Sequence, residues 1–194
     1  MVEPIAFTLA ALALLATPGP TNTLLATSGA AAGFKRSLHL VIAEITGYMI
    51  SISALALVIG PLVHASHALD MALRVACGAY LLYAAWRLWR EGAAALTSGE
   101  PVKFRRVLVA TLVNPKGIVF AFVIVPHLSE GAPALAAPYM AALAGLIAIA
   151  GGAWIALGAA VRTGAAVDSG LARRAGALVL CLFAVLVSGS AFTA

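Results

Sequence analysis

Two short stretches decide how this chain folds: Thr17-Pro18-Gly19-Pro20 and Asn114-Pro115-Lys116-Gly117. Each interrupts a long apolar run. Proline removes a backbone donor and clashes with the preceding helical turn. In hydrocarbon, the freed carbonyls must find partners in protein or water. Pro18 and Pro115 stand half of the chain's 194 residues apart. Around them, six apolar runs reach the length of about 20 residues that a membrane helix needs: roughly 4–31, 38–62, 68–89, 107–126, 135–160 and 172–192. The expected fold class is therefore all-α, a polytopic membrane protein with six transmembrane helices. Helices 1 and 4 are broken, at Pro18–Pro20 and at Pro115. Three helices per half is an odd number, so the second half would enter the bilayer from the opposite face. This gives one membrane domain of two inverted three-helix repeats, about residues 1–97 and 98–194.

Composition points the same way. Hydrophobic residues make up 63% of the chain and charged residues only 10%, with a mean hydropathy of +1.05. Soluble domains carry about 25% charged residues, so a soluble globular domain, a disordered chain and a nucleic-acid binder are excluded. The net charge of +5 reports topology. All of the 12 Lys and Arg except Arg74 and Lys116 fall in or beside alternate loops: Lys35 and Arg36; Arg87, Arg90, Lys103, Arg105 and Arg106; Arg162, Arg173 and Arg174. Basic loops stay cytoplasmic, which places both termini outside. Met1-Val2-Glu3-Pro4 has no positive n-region, so the first run is expected to be retained and not cleaved. Cys77 and Cys181 lie in apolar runs without ligand spacing and read as small buried hydrophobes.

Three oddities converge on one depth. At 1.5 Å per residue, Pro18 lies roughly 21 Å along helix 1, Lys116 about 15 Å from the cytoplasmic end of helix 4, and Glu44 roughly 10 Å into helix 2. All fall in the middle or inner half of a core about 30 Å thick. In secondary transporters built from inverted repeats, paired Gly/Pro-interrupted helices mark the binding site. A half-helix beginning after Pro20 would aim the free amides of Thr21, Asn22 and Thr23 at an anion such as a carboxylate. The carbonyls of Ala16 and Thr17 would suit an ammonium group. Lys116 is too deep to snorkel, and an ammonium there costs a few kcal/mol on insertion scales. It either holds a substrate carboxylate or serves as counter-ion to Glu44. Glu44 is the one carboxylate well inside an apolar run, and Gly47, Tyr48 and Ser51 share its face. Its charge state hangs on the balance of burial and a nearby cation, which makes it the candidate for proton coupling. The candidate substrate-binding set is Thr17, Pro18, Gly19, Pro20, Thr21, Asn22, Glu44, Tyr48, Asn114, Pro115 and Lys116.

Other features take plainer readings. Arg74 is better paired with Asp70, at i, i+4, than with distant Glu44. His39, His64, His67 and His127 are scattered along the chain and make no metal site. Tyr80, Tyr83, Trp86 and Trp89 form an interfacial belt. Gly29 and Gly33 form a small-xxx-small pattern that suits packing within the bundle or a homodimer. Ser188-Gly189-Ser190 has no His or Asp placed to activate a serine, so no enzyme activity is expected. No cofactor is required. A thiol carrier would need cysteines paired at the breaks. The alternative is a heavy-metal or other ion exporter of similar architecture, which would want several buried Asp, Glu, His or Cys ligands.

With these residues in view, the chain resembles the lysine exporter and homoserine/threonine exporter (LysE/RhtB) family. The resemblance rests on Thr17-Pro18-Gly19-Pro20 followed by Thr21-Asn22-Thr23-Leu24-Leu25, on Gly33-Phe34-Lys35-Arg36, and on the acid of helix 2. Asn114-Pro115-Lys116, Pro126-His127 and Arg173-Arg174-Ala175-Gly176 complete it. It spans essentially the whole chain. It departs at Glu44, where Asp is common, and at Thr21, which separates the Pro-Gly-Pro motif from Asn22. It implies a multi-pass exporter of amino acids or related small metabolites in the bacterial inner (cytoplasmic) membrane, driven by protons.

Overall fold

The computed structural model describes residues 4–90, 102–125 and 133–162, together with Arg174, Ala177, Leu178, Cys181, Leu182, Ala184, Val185, Ser188 and Gly189. Among these residues there is no strand. Helices α1 (Pro4–Ala16) and α2 (Pro20–Ala32) meet at an angle of 63°, so the first apolar run is a bent helix pair. A short turn of helix, α3 (Phe34–Ser37), leads into α4 (His39–Val58). Gly33 makes that corner with φ of 86°, in the left-handed region where a Cβ is penalised. α5 (Gly60–Ala65) turns the chain into α6 (His67–Arg90). The fourth run is α7 (Phe104–Leu112), α8 (Lys116–Val119) and a π-helical turn Phe120–Ile124, bent by 54° at Asn114-Pro115. α9 (Pro133–Arg162) is the fifth span.

The described residues thus supply up to five spans, and the protein is an all-helical polytopic membrane protein. The sixth predicted run lies largely outside the described residues. Those described there are helical, and Ala177 and Ala184 are buried in the core. Ser188 and Ala184 lie directly against Gly78 of α6.

Side chains such as Val113 (75% exposed) and Ile149 (67%) cover the outside. In water such a surface would be a large apolar patch; in lipid it matches its solvent. The interior has the reverse character at one level. One apolar cluster includes Leu14, Leu15, Tyr48, Ile52, Val119 and Phe120. A second includes Leu25, Leu40, Val41, Ala43 and Val107. Along each of the three elements α1–α2, α4 and α7–α8, buried polar residues fall between the two clusters: Thr17, Thr21 and Asn22; Glu44; and Thr111, Asn114 and Lys116, with Ser28 and Ser51 buried to either side. A polar layer crosses an otherwise apolar bundle at the height of the two helix breaks.

α2 and α9 pack backbone against backbone. The missing side chain of Gly29 makes room for the Ile155 carbonyl, and that of Gly158 for the Ala26 carbonyl. Gly29 is therefore used inside the bundle, and Gly33 at a corner.

Candidate functional site

Each break leaves carbonyls that the protein must satisfy, because no water is at hand in hydrocarbon. At the first, the Asn22 amide reaches back across the gap and donates to the carbonyls of Leu15 and Thr17, both at 2.7 Å. The Trp154 indole N–H donates to the same Leu15 carbonyl at 3.2 Å. The Thr17 hydroxyl donates to Leu14 at 2.6 Å. Helix α2 starts at Pro20 itself, where proline loses nothing by lacking an N–H. Thr23 N–H already bonds the Gly19 carbonyl at 2.9 Å. The expected set of free amides is thereby corrected to Thr21 and Asn22.

At the second break, Asn114 Oδ1 accepts the Lys116 backbone N–H at 3.1 Å and so opens the next helix. Ser51 Oγ donates to the Leu112 carbonyl at 3.1 Å. Pro115 sits in helical geometry, φ −62° and ψ −16°.

The two breaks touch. The Lys116 ammonium donates to the Thr17 carbonyl at 2.6 Å. Its end lies so close over Gly19 that a β-carbon there would meet Lys116 Cε at 3.4 Å and Nζ at 3.5 Å. Asn114 Nδ2 donates to Thr21 Oγ1 at 3.2 Å and to Tyr48 Oη at 3.0 Å. Thr111 Oγ1 donates to the Val107 carbonyl at 2.9 Å, so its 3.1 Å contact with Thr21 must be filled by the Thr21 proton. A directional chain of donors therefore runs from Asn114 through Thr21 and Thr111 to Val107. Tyr48 is held in place by an edge-on contact with Phe120, 5.5 Å between ring centroids.

Glu44 is buried in the same layer, 1% exposed, and its Oε2 has no hydrogen-bond partner among the described residues. It faces Gly151 of α9, whose β-carbon, if present, would come within 2.5 Å of Oε2. Glu44 and Lys116 act on one another electrostatically. They do not form an ion pair; the pair among the described residues is Arg74–Asp70, at 2.9 Å. An acid and a base thus lie buried in one layer without bonding each other.

All of the sequence-predicted candidates from Thr17 to Asn22, with Glu44, Tyr48 and Asn114 to Lys116, lie in this layer or on the two breaks. Four more residues belong with them: Thr111, Ser51, Gly151 and Trp154. Thr111 was findable as the lone polar residue of the Val107–Val113 run. Gly151 and Trp154 act through packing between distant helices, which no local pattern reveals. His39 and His67 lie outside the layer, and His127 and Arg173 lie outside the described residues. Among the described residues no three His, Cys, Asp or Glu group to hold a metal.

Asn22→Ala removes two buried hydrogen bonds but leaves both carbonyls another donor. A loss of about 2 kcal/mol is expected, lowering the thermal midpoint in detergent by roughly 4–8 °C. An unchanged midpoint would show that the clamp across the first break is idle.

No curated protein and no solved structure matches the chain. A family model does, that of the LysE type translocator, over residues 12–193. Bent helices meeting around a buried polar layer suit a membrane transporter, and the chain belongs to the LysE type translocator family.

Proposed function

We propose that the protein is a secondary transporter that exports amino acids or related small zwitterionic metabolites by proton antiport with alternating access. One observation carries this reading: an acid and a base, both buried where the two helix breaks meet, remain unpaired. An ammonium has three donors, and Lys116 spends one on Thr17. A substrate carboxylate takes the others, together with the amides of Thr21 and Asn22 at the start of α2. The substrate ammonium takes Glu44, whose Oε2 awaits a donor. A proton competes for the same oxygen, which couples the two fluxes. Pro18, Gly19, Pro20 and Pro115 keep the backbone open, and Tyr48 and Asn114 frame the pocket. The two bent spans are the matching elements of inverted halves, about residues 1–97 and 98–194. The basic loop ends face the cytoplasm, with both termini outside.

The deciding experiment is counterflow in proteoliposomes with a panel of labelled amino acids, run beside cadmium and nickel efflux. Amino acids should exchange and compete, and the metals should not. The reverse outcome would select a metal exporter. Glu44→Gln should lower proton-driven export at least tenfold and flatten its pH dependence. An intact pH profile in that variant would remove Glu44 from the coupling.

A further inference from the structure

Outside the polar layer, an open groove runs between α2 and α7. Its floor is apolar: Pro20 and Leu24, one turn apart on α2, face Val109 and Ala110 of α7. Its mouth is basic: Lys103, Arg105 and Arg106 line it. All three cations are exposed, and none pairs with an acid among the described residues. They crowd the first turn of α7, whose N-terminus adds partial positive charge. Buried Val102 anchors the approach to that helix, and the Lys103 carbonyl accepts the Arg106 N–H at 3.0 Å. The cations are thereby held at the mouth and not spread along a loose loop. Val109 is 48% exposed and faces outward, so the groove opens sideways, to lipid.

We infer that this groove is a site for one anionic phospholipid of the leaflet at the basic end. Its headgroup phosphate sits among Lys103, Arg105 and Arg106, and an acyl chain lies along Leu24, Val109 and Ala110 to Pro20. Charge complementarity selects the occupant. Three like charges beside a positive helix end repel one another until an anion joins them. The apolar floor suits a hydrocarbon chain better than a hydrophilic substrate. The groove ends on Pro20, the first residue of α2, so the bound chain braces the outer side of the hinge whose inner side carries Lys116. The inference stands apart from the identity of the transported molecule.

The test uses the full chain in nanodiscs of phosphatidylcholine and phosphatidylglycerol in equal parts. After extraction into mild detergent, lipid retained per protein is counted by native mass spectrometry. Each cation near an anionic headgroup contributes roughly a fivefold preference. Lys103→Gln/Arg105→Gln/Arg106→Gln should therefore retain at least tenfold less phosphatidylglycerol. Ala110→Leu, which fills the floor and leaves the charges intact, should show a smaller loss in the same direction. Lys35→Gln/Arg36→Gln, also at the basic end but outside the groove, should retain what the parent does. Equal losses in the groove and control variants would reduce the effect to a charged surface and overturn the site. Unchanged lipid retention with a raised KM for export in the triple variant would make the groove a substrate vestibule and also overturn it.

Discussion

Lys116→Met is expected to lower export of carboxylate-bearing substrates by about 100-fold while leaving the thermal midpoint unchanged or raised. The two halves of this expectation come from different parts of the same geometry. An ammonium at this depth is costly, and Lys116 is 1% exposed. Methionine keeps the apolar stem that lies over Gly19 and discards the charge. The Thr17 carbonyl is not orphaned by the change, because the Asn22 amide still donates to it. Nothing in the fold therefore needs the ammonium. The function does: a charge-assisted hydrogen bond to a carboxylate contributes about 1.5–3 kcal/mol, and a 100-fold loss sits near the top of that range.

Glu44 supplies the control. If Lys116 were only its counter-ion, adding Lys116→Met to a Glu44→Gln variant would cost no further export. If Lys116 grips the substrate, Lys116→Met lowers export of carboxylate-bearing substrates further in the Glu44→Gln background too, and the coupling between the two sites is read from the cycle. Amines without a carboxylate should lose no more than about threefold from Lys116→Met, because the discarded hydrogen bond was never theirs. An equal 100-fold loss for those amines would contradict the assigned role. These measurements separate a grip on substrate from a structural pair, which in this structure Glu44 and Lys116 do not form.

How far the sequence revealed this arrangement can be traced residue by residue. The breaks were legible because proline acts locally: Pro18 bars the continuation of α1, and Pro20 and Pro115 stand at helix starts, where a missing N–H costs nothing. The polar face of α4 was legible because Glu44, Gly47, Tyr48 and Ser51 follow helical spacing. Three apolar runs became helices long enough to cross a bilayer and two became bent pairs for the same reason, since length and composition alone decide whether a segment suits a bilayer. The partners of the freed carbonyls were not legible. The sequence suggested that Thr17 would present its carbonyl to an ammonium group. The structure gives it one, but the group is the chain's own Lys116. The reach of Asn22 back to Leu15 depends on the 63° bend, an angle that composition does not encode. The π-helical turn Phe120–Ile124 is also set by packing: its 2.9 Å bond from Val125 to Phe120 spans five residues with no distinctive sequence.

The largest effect on folding is expected at Gly158. Its α-carbon sits against the Ala26 carbonyl, and the α-carbon of Gly29 against the Ile155 carbonyl, so each helix notches into the other's backbone. A methyl group at Gly158 would meet atoms that cannot rotate away, and α2 and α9 would have to separate. Overpacking a core by a methylene costs about 1–3 kcal/mol. A clash with backbone belongs at the upper end, equivalent to a fall of roughly 6–12 °C in the thermal midpoint. Gly158→Val should fail to accumulate as folded protein. Gly152, six residues earlier on the same helix, has nothing within 4 Å of where its β-carbon would stand. Gly152→Ala should therefore be neutral or stabilising by up to about 1 kcal/mol, since alanine is the better helix former. The contrast removes helix propensity as an explanation, because both substitutions gain it. Gly151→Ala completes the set. Its new methyl would press on Glu44 Oε2, a side-chain atom that can move. Export should suffer there while the fold persists. Equal midpoints for the Gly158→Ala and Gly152→Ala variants would mean that the α2–α9 contact is looser than this backbone packing requires. The polar layer between them would then lack the rigid wall against which Glu44 is held.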